Sequence, residues 1–169
     1  RMTVLEINPH VIALRGDFQV PPDNERFRVI AADGAMFLRT ASPAFDVLLV
    51  DGFDADGQPA ALCSQQFYGD CLAALTGEGV LGVNLHYDQL DYPLLAGRIR
   101  RSFGGNAVEI VTLDESNCIV LARNGRPISP QALHLADALA GLEAQARAIL
   151  KPELARMLWQ MKTPDVADR

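Results

Sequence analysis

Phe45-Asp46-Val47-Leu48-Leu49-Val50-Asp51-Gly52-Phe53-Asp54-Ala55-Asp56 is the stretch on which the fold turns. Val47 to Val50 is a short apolar run with two β-branched residues, the signature of a strand buried on both faces. It stops at Asp51-Gly52, and further carboxylates follow at Asp54 and Asp56. A buried strand that delivers acids into the loop beyond its C-terminal edge is the layout of an open α/β site. Acids set this close together repel one another, which favours a proton on at least one and suits a base. Asp and Gly also form solvated turns for purely local reasons, so the stretch alone supports both readings.

Upstream, Thr3 to Ile7 reads as a strand carrying Glu6 near its end, and Asn8-Pro9 opens a helix that runs from His10 to Phe18. A polar connection containing Pro21-Pro22-Asp23 leads to a second strand, Phe27 to Ala32, and Asp33-Gly34 turns into a short helix through Leu38. Downstream, Ser64 caps a helix from Gln65 to Leu75, with Phe67, Cys71, Leu72 and Leu75 at helical spacing. Gly77-Glu78-Gly79 ends that helix, and Val80 to Leu85 is the next strand.

Tyr92 to Phe103 is helical, with Leu94, Leu95 and Ile99 inward and Arg98, Arg100 and Arg101 outward. Ala107 to Leu113 and Cys118 to Arg123 form a hairpin around Asp114-Glu115-Ser116-Asn117. Ser129-Pro130 caps a long amphipathic helix to about Leu150, and Pro152 starts a last one with Trp159, so the C-terminal helices occupy about 129–162. Met157, Trp159 and Met161 read as core or interface residues. Strands alternating with helices and closing on a hairpin make a single α/β domain, a doubly wound, mostly parallel sheet with an antiparallel edge.

Composition narrows the function classes. The chain has 169 residues, 49% apolar and 21% charged, which reads as soluble and globular. Its net charge of -6 argues against a nucleic-acid binder and is compatible with a cationic small substrate. Cys63, Cys71 and Cys118 are odd in number and lack metal-type spacing, so they read as reduced thiols of a cytoplasmic protein with no metal site. No apolar run approaches about 18 residues, so no membrane span is expected, and no signal peptide is legible.

Successive strands end in acids: Glu6, Asp33 and Asp51. A carboxylate such as Glu6 can accept from both hydroxyls of a ribose. Asp33-Gly34 suits the exocyclic amine of an adenine, leaving Asp51 and Asp54 for the reacting end of a ligand. Each acid also has a plainer role, capping the helix that follows it.

With these residues placed, the chain resembles the spermidine synthase, or polyamine aminopropyltransferase, family. The matching stretches are Val4-Leu5-Glu6-Ile7-Asn8-Pro9-His10-Val11, Val29-Ile30-Ala31-Ala32-Asp33-Gly34-Ala35, Phe45 to Asp54, Phe67-Tyr68, and Leu75 through Leu81. The resemblance implies a Rossmann-like, methyltransferase-type sheet and an enzyme that moves an aminopropyl group from decarboxylated S-adenosylmethionine to an amine such as putrescine. It implies that Glu6 binds the ribose, that Asp33 with Gly34 binds the adenine, and that Asp51 is the general base. It further implies that Asp54 holds the amine, with Asn84 and Tyr68 on the same side, and that the donor is a co-substrate with no tightly bound cofactor. Small-molecule nucleoside and polyamine partners and a homodimer follow from the same likeness.

The pattern also departs from the family. Its glycine-rich strand and turn before Glu6, and its N-terminal β-domain, are not in this sequence, so the chain reads as truncated and the sheet as lacking a central element. The family's proline after the second acid is missing from Asp54-Ala55-Asp56, and its glutamine is replaced by Asn84, with His86 nearby. Two alternatives therefore stand beside the aminopropyltransferase: an S-adenosylmethionine-dependent methyltransferase, and a catalytically silent nucleoside-binding or assembly domain. The acid-rich loop favours the first over a methyltransferase, because it repels a carboxylate and attracts a polyamine.

Overall fold

The computed structural model describes residues 1–163 apart from Asp56, the last acid of the Phe45–Asp56 stretch, which lies outside the described residues. β1 (Met2–Glu6) is followed by α1 (Pro9–Ala13), which starts as its sequence dictates. Asn8 Oδ1 accepts from the His10 backbone N–H at 2.9 Å, and Pro9 sits in the first turn, where a missing N–H costs nothing. The helix is shorter than the expected run to Phe18, giving way to a 3₁₀ turn at Leu14–Gly16. None of its residues is buried, so no packing sustains further turns. β2 (Phe27–Ala31) pairs in parallel with β1, Met2 opposite Phe27 and Glu6 opposite Ala31.

α2 (Gly34–Arg39) is capped by Asp33, whose Oδ1 accepts from Ala35 N at 2.8 Å and Met36 N at 3.1 Å. It leads to β3 (Phe45–Val50), the short α3 (Ala60–Cys63) and α4 (Gln65–Ala74), where Ser64 Oγ accepts from Phe67 N at 3.0 Å. β4 runs from Leu75 to His86, five residues earlier than the expected start at Val80. Gly77-Glu78-Gly79 therefore does not terminate the helix; it continues the strand through a register shift between Phe45 and Val47. Gly79 makes that possible: a Cβ there would stand 2.9 Å from the Phe45 carbonyl oxygen.

α5 (Tyr92–Ser102), β5 (Ala107–Val111) and β6 (Asn117–Arg123) complete the sheet, in the order β3-β4-β6-β5. β3 and β4 are parallel, whereas β6 is antiparallel to both of its neighbours, so the hairpin closes the sheet as expected. β1 and β2 form a separate two-stranded sheet. The strands thus divide between β1–β2 and β3.

One face of the larger sheet packs under α4 and α5. Leu81, Val83, Leu85, Cys118, Val120 and Ala122 meet Phe67, Tyr68, Cys71, Leu95 and Ile99 there, all with 8% exposure or less. Each large aliphatic side chain so buried contributes about 1.5–3 kcal/mol. Leu94, expected inward, is 51% exposed; the buried stripe of α5 is Tyr92, Leu95, Ala96 and Ile99. The arginines of α5 are tethered. Arg98 Nη1 donates to the Cys63 carbonyl at 2.8 Å, Arg101 Nε to Gln65 Oε1 at 3.1 Å, and Arg100 pairs with Glu109 at 2.5 Å.

The opposite face explains the main correction to the reading of β3. Val47 is 57% and Leu49 74% exposed, so the strand is not buried on both faces. Phe45, Leu48 and Val50 turn towards the core, and among the described residues β3 has β4 as its strand neighbour.

At the C-terminal end the helices are divided differently from the expectation. A 3₁₀ turn at Pro130–Ala132 and α6 (Leu135–Leu139) precede α7 (Ala144–Lys162), and Pro152 lies inside α7, not at a helix start. α7 is held by polar contacts to the rim of β5. Gln160 Oε1 accepts from Val111 N at 3.0 Å, Gln160 Nε2 donates to Val111 O at 3.0 Å, and Arg156 Nη1 donates to the same oxygen at 2.6 Å. A glutamine amide thus stands in for a further strand on the sheet edge. Trp159 is 56% exposed and Met157 and Met161 are half-buried. No helix among the described residues is long and apolar enough to cross a membrane.

Candidate active site

Parallel pairing of β3 and β4 sets Val50 opposite Val83, and Asp51 and Asn84 are the next residues on each strand. Their side chains meet: Asn84 Nδ2 donates to Asp51 Oδ1 at 3.0 Å. Asn84 Oδ1 is buried and has no hydrogen-bond partner among the described residues. Asp51 is exposed, unlike the desolvated base its sequence position suggested. It shares by parity the uncovered face of β3 that carries Val47 and Leu49.

The loop beyond Asp51 is a tight structure. Asp54 N donates to the Gly57 carbonyl at 2.8 Å and Gly57 N to the Asp54 carbonyl at 3.3 Å, across a turn that Gly57 closes at φ 115°. Only glycine takes that conformation without strain. Asp54 is exposed at the loop tip. Phe53, between the two acids, stacks on His86 with ring centroids 4.2 Å apart and planes 14° from parallel. Gln89 Nε2 lies 3.3 Å from His86 Nδ1, and the same amide flanks Gly57. Just past the turn, both amide atoms of Gln58 are buried without a partner among the described residues.

Glu6 ends β1 and Asp33 lies two residues beyond the end of β2. Glu6 Oε1 accepts from Asn8 N at 2.7 Å, and Asp33 caps α2 through Oδ1. Both are half-buried, and an added Cβ at Gly34 would meet no atom within 4 Å. Asp33 therefore performs the plain capping role weighed for it, whereas Glu6 bonds the N–H of Asn8, the residue that itself caps α1. A mainly apolar groove of about 530 Å³, lined by Glu6, Val4, Val11, Phe18 and Phe27 among others, runs beside β1 but does not reach Asp33 or Asp51.

Tyr68 is in the core. It is fully buried, and burial raises its phenol well above the usual range, with the hydroxyl unpartnered among the described residues. Packing, the plainer role, is what its position provides. Cys71 is buried beside it, its thiol pushed up to about 12 by desolvation, and the cysteines are all unbridged. No group of three metal-ligating side chains occurs among the described residues.

Sequence reasoning named Asp51, Asp54, Asn84, Glu6 and Asp33, and the fold brings Asp51 and Asn84 into contact. It missed the Phe53–His86 stack and the part of Gln89, whose only trace was the proximity of His86 to a strand end.

The spermine/spermidine synthase domain family matches residues 2–86. A polyamine aminopropyltransferase of Neisseria meningitidis serogroup A is 34% identical over 128 residues, covering 75% of this chain and 49% of that protein. The chain spans about half the length of the curated polyamine aminopropyltransferases of Neisseria meningitidis and Chromobacterium violaceum that it matches. A spermidine synthase crystallised with the transition-state analogue AdoDATO superposes with a TM-score of 0.68 at 20% identity, covering 94% of this chain and 61% of the other. Human methyltransferase-like protein 13, in complex with SAH, gives a TM-score of 0.64 at 21% identity, with 93% and 70% covered. These two likenesses establish a Rossmann-like, methyltransferase-type fold.

Proposed function

This chain belongs to the spermine/spermidine synthase family, and on that premise we propose that it transfers an aminopropyl group from decarboxylated S-adenosylmethionine to a primary amine such as putrescine. The observation that carries the proposal is the pair of acids at the end of β3, with Asp51 held by Asn84 and Asp54 on a closed turn three residues on. A polyamine is cationic, and an acidic loop on a protein of net charge -6 attracts it.

In the proposed reaction the amine nitrogen attacks the carbon next to the donor's sulfonium. The new C–N bond forms as the C–S bond breaks, and the bonding pair goes to sulfur, giving neutral methylthioadenosine. Asp51 takes the proton the attacking nitrogen must shed, since an alkylammonium with a reference pKa of about 10.4 is not a nucleophile near neutral pH. Asp54 pairs with the cation, Glu6 accepts from the ribose hydroxyls, and Asp33 accepts from the adenine amine beside the open space at Gly34. The sulfonium is its own leaving group, so the protein's task is to position the reactants and move one proton. The donor is a co-substrate rather than a resident cofactor.

Methyl transfer from S-adenosylmethionine is the second reading, favoured by the likeness to the human methyltransferase fold. The two differ at the amino-acid end of the donor, where a carboxylate would face Asp51 and Asp54. Assaying the chain with each sulfonium donor against a panel of diamines tests the proposal. Aminopropyl transfer that Asp54→Asn weakens through acceptor affinity supports it; methyl transfer alone refutes it.

A further inference from the structure

The two limbs of the acidic loop rest on the last residue of β4 and on the turn that follows it. Phe53, between Asp51 and Asp54, stacks on His86 at 4.2 Å, and Gly57, at the far limb, lies against the side chain of Gln89, whose Nε2 is 3.3 Å from His86 Nδ1. A Cβ placed on Gly57 would stand 3.3 Å from Gln89 Oε1, so the amide and the turn are in close contact. Gln89 N also donates to the His86 carbonyl at 3.4 Å, which keeps the residues of this turn together.

From this we infer that His86 is a positioning residue for the acceptor amine: with Gln89 it braces the loop so that Asp54 is held in register with Asp51. The inference rests on the reading of Asp51 and Asp54 as the acceptor's acids. Within the loop itself, the Asp54 and Gly57 backbone groups are paired with each other. An aromatic stack contributes through shape as much as through charge, because offset rings lock both planes. A phenyl ring at position 86 therefore keeps the brace, whereas a methyl group removes it. His86 itself need not touch the substrate.

The test uses the full chain as wild type, His86→Ala, His86→Phe and Gln89→Ala. Amide exchange at Asp54, whose N–H is bonded to Gly57, reports loop order directly. Losing a stack of this kind is expected to speed that exchange about three- to tenfold in His86→Ala. Exchange of the β5–β6 ladder amides should stay unchanged, which separates loosening of the loop from general unfolding. Acceptor KM should rise by a similar about three- to tenfold factor, with donor KM within about twofold. His86→Phe should recover both readouts, and Gln89→Ala should show a smaller loss of each.

Unchanged Asp54 exchange in His86→Ala overturns the brace. Faster exchange with an unaltered acceptor KM overturns its link to the acceptor, as does an equal rise in donor and acceptor KM. If wild type moves no aminopropyl group to any amine, the functional reading fails instead. The exchange measurements then still decide whether His86 holds the loop.

Discussion

Asn84 reaches from β4 to Asp51 and donates its amide to Oδ1 at 3.0 Å, joining the ends of two parallel strands by a side-chain bond. One carboxylate oxygen is thereby oriented. On the proposed mechanism the other oxygen of Asp51 is the one presented to the amine.

Asp51→Asn is expected to lower turnover by about 10²–10⁴-fold, the usual reach of a general base, with little effect on nucleoside binding. Asn84→Ala should cost less, about tenfold, because it removes an orienting hydrogen bond and not the proton acceptor. Steady-state rates at saturating donor check both, and near-normal turnover in Asp51→Asn would make Asp51 a turn residue only.

Glu6→Ala should abolish or weaken by about tenfold or more the binding of methylthioadenosine, measured calorimetrically, since a carboxylate accepting from ribose hydroxyls makes strong charged hydrogen bonds. Equal affinity in wild type and variant would remove Glu6 from the ligand site. Glu6 also accepts from Asn8 N, so the thermal midpoint should be followed in parallel.

Ile99 and Leu94 lie five residues apart on α5 and should behave oppositely. Ile99 is fully buried, and Ile99→Ala should destabilise by about 2–5 kcal/mol. Leu94 is 51% exposed, and Leu94→Ala should stay within about 1 kcal/mol. Urea unfolding of the two variants distinguishes the observed stripe from one that would place Leu94 inward.

Asp114 in the β5–β6 turn accepts from Thr112 Oγ1 at 2.6 Å and from the Ser116 hydroxyl and N–H, and these bonds lower its pKa to about 2. A carboxyl that holds its proton more weakly folded than unfolded adds stability above its ordinary value of 3.8. That contribution is lost as pH falls from there through about 2. Asp114→Asn should therefore be less stable than wild type at neutral pH, with the difference vanishing towards pH 2 in acid titrations of the thermal midpoint. A constant difference at all pH values would contradict this.

Features set by near neighbours in the chain were legible. Asn8, Asp33 and Ser64 cap their helices because each side chain meets an N–H two or three residues on. What the sequence concealed depends on partners far along the chain. Gly77 to Gly79 looks like a stop until Phe45 is known to pair with Leu75. Val47 and Leu49 look buried until the uncovered face of β3 is seen. Phe53 and His86 are separated by a helix pair, and no period relates them. Pro152 reads as a helix start because a ring in mid-helix removes a hydrogen bond, yet α7 accommodates it.

The first thirty-four residues contain no buried residue, and the core begins at Ala35. β1, α1 and β2 are thus joined to the rest by α2 and its contacts and not by a shared interior. Cooperativity follows burial, so the chain should not melt as one two-state unit. The segment that carries Glu6 should open in an earlier, shallower transition than the larger sheet. A nucleoside that binds there would raise the first midpoint and leave the second where it is, which turns a calorimetric trace into a map of where the ligand sits.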